Sequence, residues 1–119
     1  MLLSTTATLF MLAQAPAQEA NVAYASLRAG DDHKAISEIE ANRNIEEKDP
    51  ASLINLGVAY ARAGDEARAR EHFEAAAASP VRYSLETANG DWVDSRRLAV
   101  KALRKLDRGE FRPTTLTRR

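Results

Sequence analysis

The stretch Pro50-Ala-Ser-Leu-Ile-Asn-Leu-Gly-Val-Ala-Tyr-Ala-Arg-Ala-Gly-Asp65 decides the fold, because the chain contains it twice. Beneath PASLINLGVAYARAGDEARAREHFEAAAASPVRY, which starts at Pro50, PAQEANVAYASLRAGDDHKAISEIEANRNIEEKD can be written from Pro16. The offset is 34 residues, and eleven positions coincide, Arg28-Ala-Gly-Asp31 and Arg62-Ala-Gly-Asp65 among them. A fixed period of this length is the signature of a stacked-repeat architecture. Each unit reads as two helices. Leu53, Leu56, Gly57 and Tyr60 recur at helical spacing. Pro50 sits where a missing N–H is harmless, Gly64 can close the first helix, and Asp65 can cap the second. That second helix turns Ala69, Phe73, Ala76 and Ala77 inward and stops at Pro80. In the first unit Val22, Ala23 and Ser26, then Ala35, Ile36 and Ile39, play the same parts. The small pairs Ala23/Gly57 and Ala35/Ala69 fall where two helices of a hairpin press together.

Outward from the repeats, the period breaks. Tyr83, Leu85 and Thr87 alternate with polar residues, and Asn89-Gly90 precedes Asp91-Trp92-Val93. This reads as a short β-hairpin over residues 81–93, or as a loop whose Tyr83 and Trp92 plug the end of the stack. Asp94 or Ser95 then caps a helix over residues 94–108, with Leu98, Ala102, Leu103 and Leu106 as its apolar stripe and Gly109 at its end. Two repeats alone leave an apolar face open, so this helix is expected to close the stack. Residues 109–119 form a basic tail.

Upstream, MLLSTTATLFMLAQAPAQ carries no charge before Glu19. Its apolar run is too short to span a bilayer and suits the apolar region of a signal peptide, with Ala15-Pro16-Ala17 as the small-x-small site. Residues 1–17 are therefore read as a signal peptide, implying a periplasmic or secreted protein. No basic residue follows Met1. The alternative is an apolar first helix on a cytoplasmic protein.

The repeats resemble the tetratricopeptide family. Asn55-Leu56-Gly57, Ala59-Tyr60, Gly64-Asp65, Ala69, Phe73 and Ala76 follow its alternation of small and large residues. In the first unit Ala23 stands for the Gly and Ser26 for the large aromatic. The resemblance covers residues 16–80. It implies an all-α domain over 18–108: two helix-turn-helix repeats (16–49 and 50–83), the hairpin or loop, and the closing helix. It also implies a concave groove lined by Tyr24, Leu27, Arg28, Ile54, Val58, Ala61 and Arg62, suited to a peptide with apolar anchors and a carboxylate.

Composition narrows the function. The chain has 119 residues, no cysteine, two histidines and seventeen charges of each sign. Disulfides, thiolate zinc sites and a thiol nucleophile are excluded. His33 and His72 lack metal-binding spacing, and Glu46-Glu47-Asp49 lacks the spacing and glycine of a calcium loop. Neither a nucleophile elbow nor a phosphate-cradling loop occurs. The expectation is a non-enzyme with no metal or cofactor that binds a protein or peptide. The neutral total is uneven: residues 16–80 hold twelve acidic and seven basic side chains (net −5), and residues 81–119 hold five and ten (net +5). Arg96, Arg97, Lys101, Arg104, Lys105 and Arg108 crowd the closing helix. They suggest a second role, electrostatic docking on an anionic surface or within an envelope complex, with any membrane contact peripheral. Nucleic acid is disfavoured, because no aromatic is interleaved with the basic run.

Overall fold

The computed structural model describes residues 23–42 and 49–111. The elements run α1 (Tyr24–Arg28), α2 (Asp32–Ala41), α3 (Pro50–Arg62), α4 (Glu66–Ala78), β1 (Ser84–Glu86), β2 (Trp92–Asp94) and α5 (Ser95–Asp107). The described chain is mostly helical, with one small antiparallel two-stranded sheet. The expected signal segment, the end of the basic tail and Glu46-Glu47 lie outside the described residues.

The repeated Arg-Ala-Gly-Asp block builds the same corner twice. At the end of α1 the Gly30 N–H donates to Leu27 O (3.1 Å) and the Asp31 N–H to Ser26 O (2.9 Å). At the end of α3 the Gly64 N–H donates to Ala61 O (3.1 Å) and the Asp65 N–H to Tyr60 O (2.8 Å). Both glycines hold positive φ, +81° and +93°. This two-bond closure satisfies carbonyls that a helix end leaves orphaned, and it needs a residue without Cβ strain. The aspartate then starts the next helix: Asp31 accepts from the Lys34 N–H and Asp65 from the Arg68 N–H. Asp49 and Asp94 cap α3 and α5 likewise. Each such cap contributes about 1 kcal/mol.

Helix α3 is the centre. Every residue from Pro50 to Ala61 is buried. A helix that is apolar all round belongs inside a fold, and α2, α4 and α5 pack against α3. Its closest approach is to α4, where a Cβ on Gly57 would strike the ring of Phe73. Phe73 is fully buried and stacks on Phe111 with ring centroids 5.8 Å apart. On the other side Tyr60 ties three helices together. Its hydroxyl donates to Glu40 Oε2 (2.7 Å), and Arg68 lies 5.6 Å over its ring.

Helix α5 covers α4 with Leu98, Ala99, Ala102 and Leu106. The segment before it is a β-hairpin, in the register Ser84↔Asp94, Leu85↔Val93, Glu86↔Trp92. Its turn differs from a two-residue Asn-Gly reversal. The Gly90 N–H donates to Thr87 O and the Thr87 N–H to Asp91 O, so Ala88, Asn89 and Gly90 form a three-residue loop. Gly90, at φ +88°, takes the left-handed position that such loops reserve for glycine.

Candidate functional site

Helix α5 has two faces of opposite chemistry. Leu98, Ala99, Ala102, Lys105 and Leu106 are buried. Arg97, Lys101, Arg104 and Arg108 follow one another at intervals of four, three and four residues, which places them along the opposite stripe. The stripe is about 16 Å long at 1.5 Å per residue. Together with Arg82, Trp92, Val93, Asp94, Arg96 and Val100 it lines an open cleft of about 690 Å³. Six of these side chains are cationic and one is anionic.

The hairpin completes this cleft, and its register explains how. Leu85 pairs with Val93 and is fully buried, so their side of the hairpin faces the core. Trp92 and Asp94 flank Val93 and take the opposite side. Trp92 is left 65% exposed. Several bonds hold the hairpin against the helices. The Ser95 N–H donates to Tyr83 O (2.8 Å), and the Tyr83 N–H donates to Ser95 Oγ (3.1 Å). Arg96 donates through Nη2 to Ser79 O at the end of α4 (2.9 Å). Trp92 therefore sits on a braced platform beside the cationic stripe.

Asp94, the lone carboxylate of the cleft, is already occupied. It caps α5 through the Arg97 N–H (3.1 Å) and accepts both Nε and Nη2 of Arg82 (3.1 and 2.9 Å). That pairing holds its carboxyl below the usual carboxylate range. Arg108 is paired with Glu110. Arg97 and Arg104 form no side-chain ion pair with any described residue. The positive field of the cleft is therefore centred on α5.

Of the six basic residues singled out in the sequence, five line this cleft and Lys105 does not. Lys105 falls three residues after Ala102, on the apolar stripe. It is buried, and its ammonium lies 5.4 Å over the Phe111 ring. Desolvation pushes its pKa down. The basic run accordingly has one fewer outward charge than its composition suggests. Arg82, Trp92, Val93, Asp94 and Val100 were not assigned to the patch. The available signal was the two-residue alternation of the hairpin, which sets Trp92 apart from Val93.

The other candidate set is mostly interior. Leu27, Ile54, Val58 and Ala61 are buried, and Tyr24 is half-buried. Arg62 is drawn inward, with Nη2 2.9 Å from Asp32 Oδ1 and 3.4 Å from Leu27 O, so it bridges the two repeats. Burial raises the Asp32 carboxyl pKa, and Arg62 opposes that rise. Arg28 alone of the seven is exposed, and its Nη1 lies 3.5 Å from Tyr24 Oη.

His33 is exposed, and His72 is held at Nδ1 by Arg68 O (2.7 Å) and stacks on Tyr60. Among the described residues no group of three or more His, Asp or Glu side chains could hold a metal, and no helix is long and apolar enough to cross a membrane. Comparison with known proteins gives no matching family model, no similar curated sequence and no similar solved structure.

Proposed function

We propose that this chain is a non-catalytic binding module that docks an anionic partner on the Trp92–α5 face. One observation carries the reading: a braced, exposed tryptophan beside a four-residue cationic stripe, in a single cleft. Exposed aromatic and arginine side chains are the residue types that supply most energy at interfaces. The apolar wall expected in the repeat groove is buried, so that groove offers a partner little surface. The α5 face is thus favoured over the groove as the docking site. The two Arg-Ala-Gly-Asp corners support a tetratricopeptide-type repeat pair beneath it, and the 1–17 segment supports export to a periplasm or the exterior.

The test is retention on immobilised polyglutamate. Arg97→Glu/Arg104→Glu should abolish it, while Arg28→Glu on the groove side should leave it unchanged, both variants keeping the native circular dichroism. Loss with Arg28→Glu and retention with the α5 variant would return the function to the groove.

A further inference from the structure

We infer that the occupant of the Trp92–α5 cleft is an acidic polypeptide segment carrying one apolar side chain, which seats on Trp92, Val93 and Val100. The inference rests on the docking reading above and narrows it to one class of partner.

Three features point to a peptide. First, five of the six cations of the cleft are arginines. Their planar forks pair with discrete oxyanions two bonds at a time, which a lysine cannot do. Second, the outward cations follow the four–three–four spacing of a helix face over about 16 Å. Carboxylates at the same spacing on an apposed helix would meet them in register. Third, the floor is aliphatic as well as aromatic. Trp92 and Val100 are the large apolar side chains left exposed among the described residues, and half-buried Val93 adjoins them. Such a shelf buries one leucine-sized anchor.

The competing anions fit less well. A single-stranded nucleic acid binds by stacking successive bases on several aromatic platforms. Here Trp92 is the single exposed aromatic among the described residues of the cleft. A bilayer surface is flat on the scale of this protein, whereas the cations and the tryptophan line a concavity. A membrane contact would leave the cleft walls unused.

Trp92 is the sole tryptophan of the chain, so its emission reports on this site alone. The experiment uses the full chain. The probe is a short peptide with Glu at four–three–four spacing and one Leu between them. Its Leu→Ser analogue, oligothymidylate, and phosphatidylcholine vesicles with one third phosphatidylglycerol are titrated in parallel. The Leu peptide should shift Trp92 emission to the blue, and the Ser analogue should bind about tenfold more weakly, as expected for the loss of one partly buried Leu side chain. Arg97→Glu/Arg104→Glu should weaken the Leu peptide by at least about tenfold. For Trp92→Ala, anisotropy of a labelled peptide replaces emission and should show a comparable loss. Tighter binding of oligothymidylate or of the vesicles would overturn the peptide inference while leaving anionic docking intact. Equal binding of the Leu and Ser peptides would also overturn it. No response to any anion, or an Arg97→Glu/Arg104→Glu variant that binds normally, would overturn both.

Discussion

Replacing Gly57 with alanine sets two effects of opposite sign against each other. Alanine in a helix interior is favoured over glycine by about 1 kcal/mol. The new Cβ, however, would land on three ring atoms of Phe73. The ring has little freedom to move aside, being fully buried and stacked on Phe111. Nor can α3 back away easily, since it is enclosed from Pro50 to Ala61. Overpacking of such a site costs about 1–3 kcal/mol, and the rigidity on both sides argues for the upper end. The net loss is therefore about 2 kcal/mol, roughly a 10 °C fall in Tm for a domain of this size. Urea denaturation followed by far-UV circular dichroism measures it. Phe73→Leu should relieve the clash, so Gly57→Ala should cost less in that background, with a coupling of about 1 kcal/mol or more. A stabilised Gly57→Ala protein, or additive effects of the two substitutions, would refute the close approach of α3 and α4.

Three further outcomes follow from named contacts. Asp94→Ala removes both the α5 cap and the Arg82 partner and should destabilise by about 1–2 kcal/mol in thermal melts, whereas Asp94→Asn keeps a cap and should cost less. Because Arg82 lowers the Asp94 pKa, its contribution is complete above the ordinary aspartate range and is lost as pH falls through the depressed value. Asp94→Asn should therefore flatten the acid limb of the stability profile. Asp32 has the opposite sign: its pKa is raised, so stability falls as pH climbs from the ordinary aspartate value through the raised one. Arg62→Ala strips its counter-charge and should deepen that fall, at a cost of about 2 kcal/mol near neutral pH by denaturant titration. Truncation before Asp94 uncovers the α4 side that Leu98, Ala102 and Leu106 pack against. It should give an unfolded or oligomeric chain in light scattering, and a folded monomer would dismiss the closing role of α5.

The corners of the fold were legible because their chemistry is local. Arg-Ala-Gly-Asp specifies a helix end and a helix start within four residues, and both copies take the same geometry. The caps followed the same logic, with Asp94 holding the α5 cap while Ser95 turns its hydroxyl to Tyr83. What depended on packing was harder to read. Leu27, Ile54, Val58 and Ala61 carry a helical period, but period alone does not say which faces meet other helices. The α3 sequence, uncharged from Pro50 until Arg62, carried the stronger clue: a helix apolar all round is a central one. Lys105 shows the same gap from the other side. Its charge was counted with the patch, yet its phase beside Ala102 and Leu106 buries its stem. Trp92 reached the cationic stripe only through strand register, a pairing between residues eight and ten apart that no single-helix pattern contains.

The central claim, that an anionic partner docks on the Trp92–α5 face, is tested most directly by amide shift mapping. The labelled full chain is titrated with the acidic Leu peptide at low and at high salt. The account predicts shifts gathered at the Trp92 indole and backbone, Val93, and the amides of Arg96 to Arg108, fading together as salt screens the cations. Shifts gathered instead around Tyr24 and Arg28, and unaffected by salt, would contradict it.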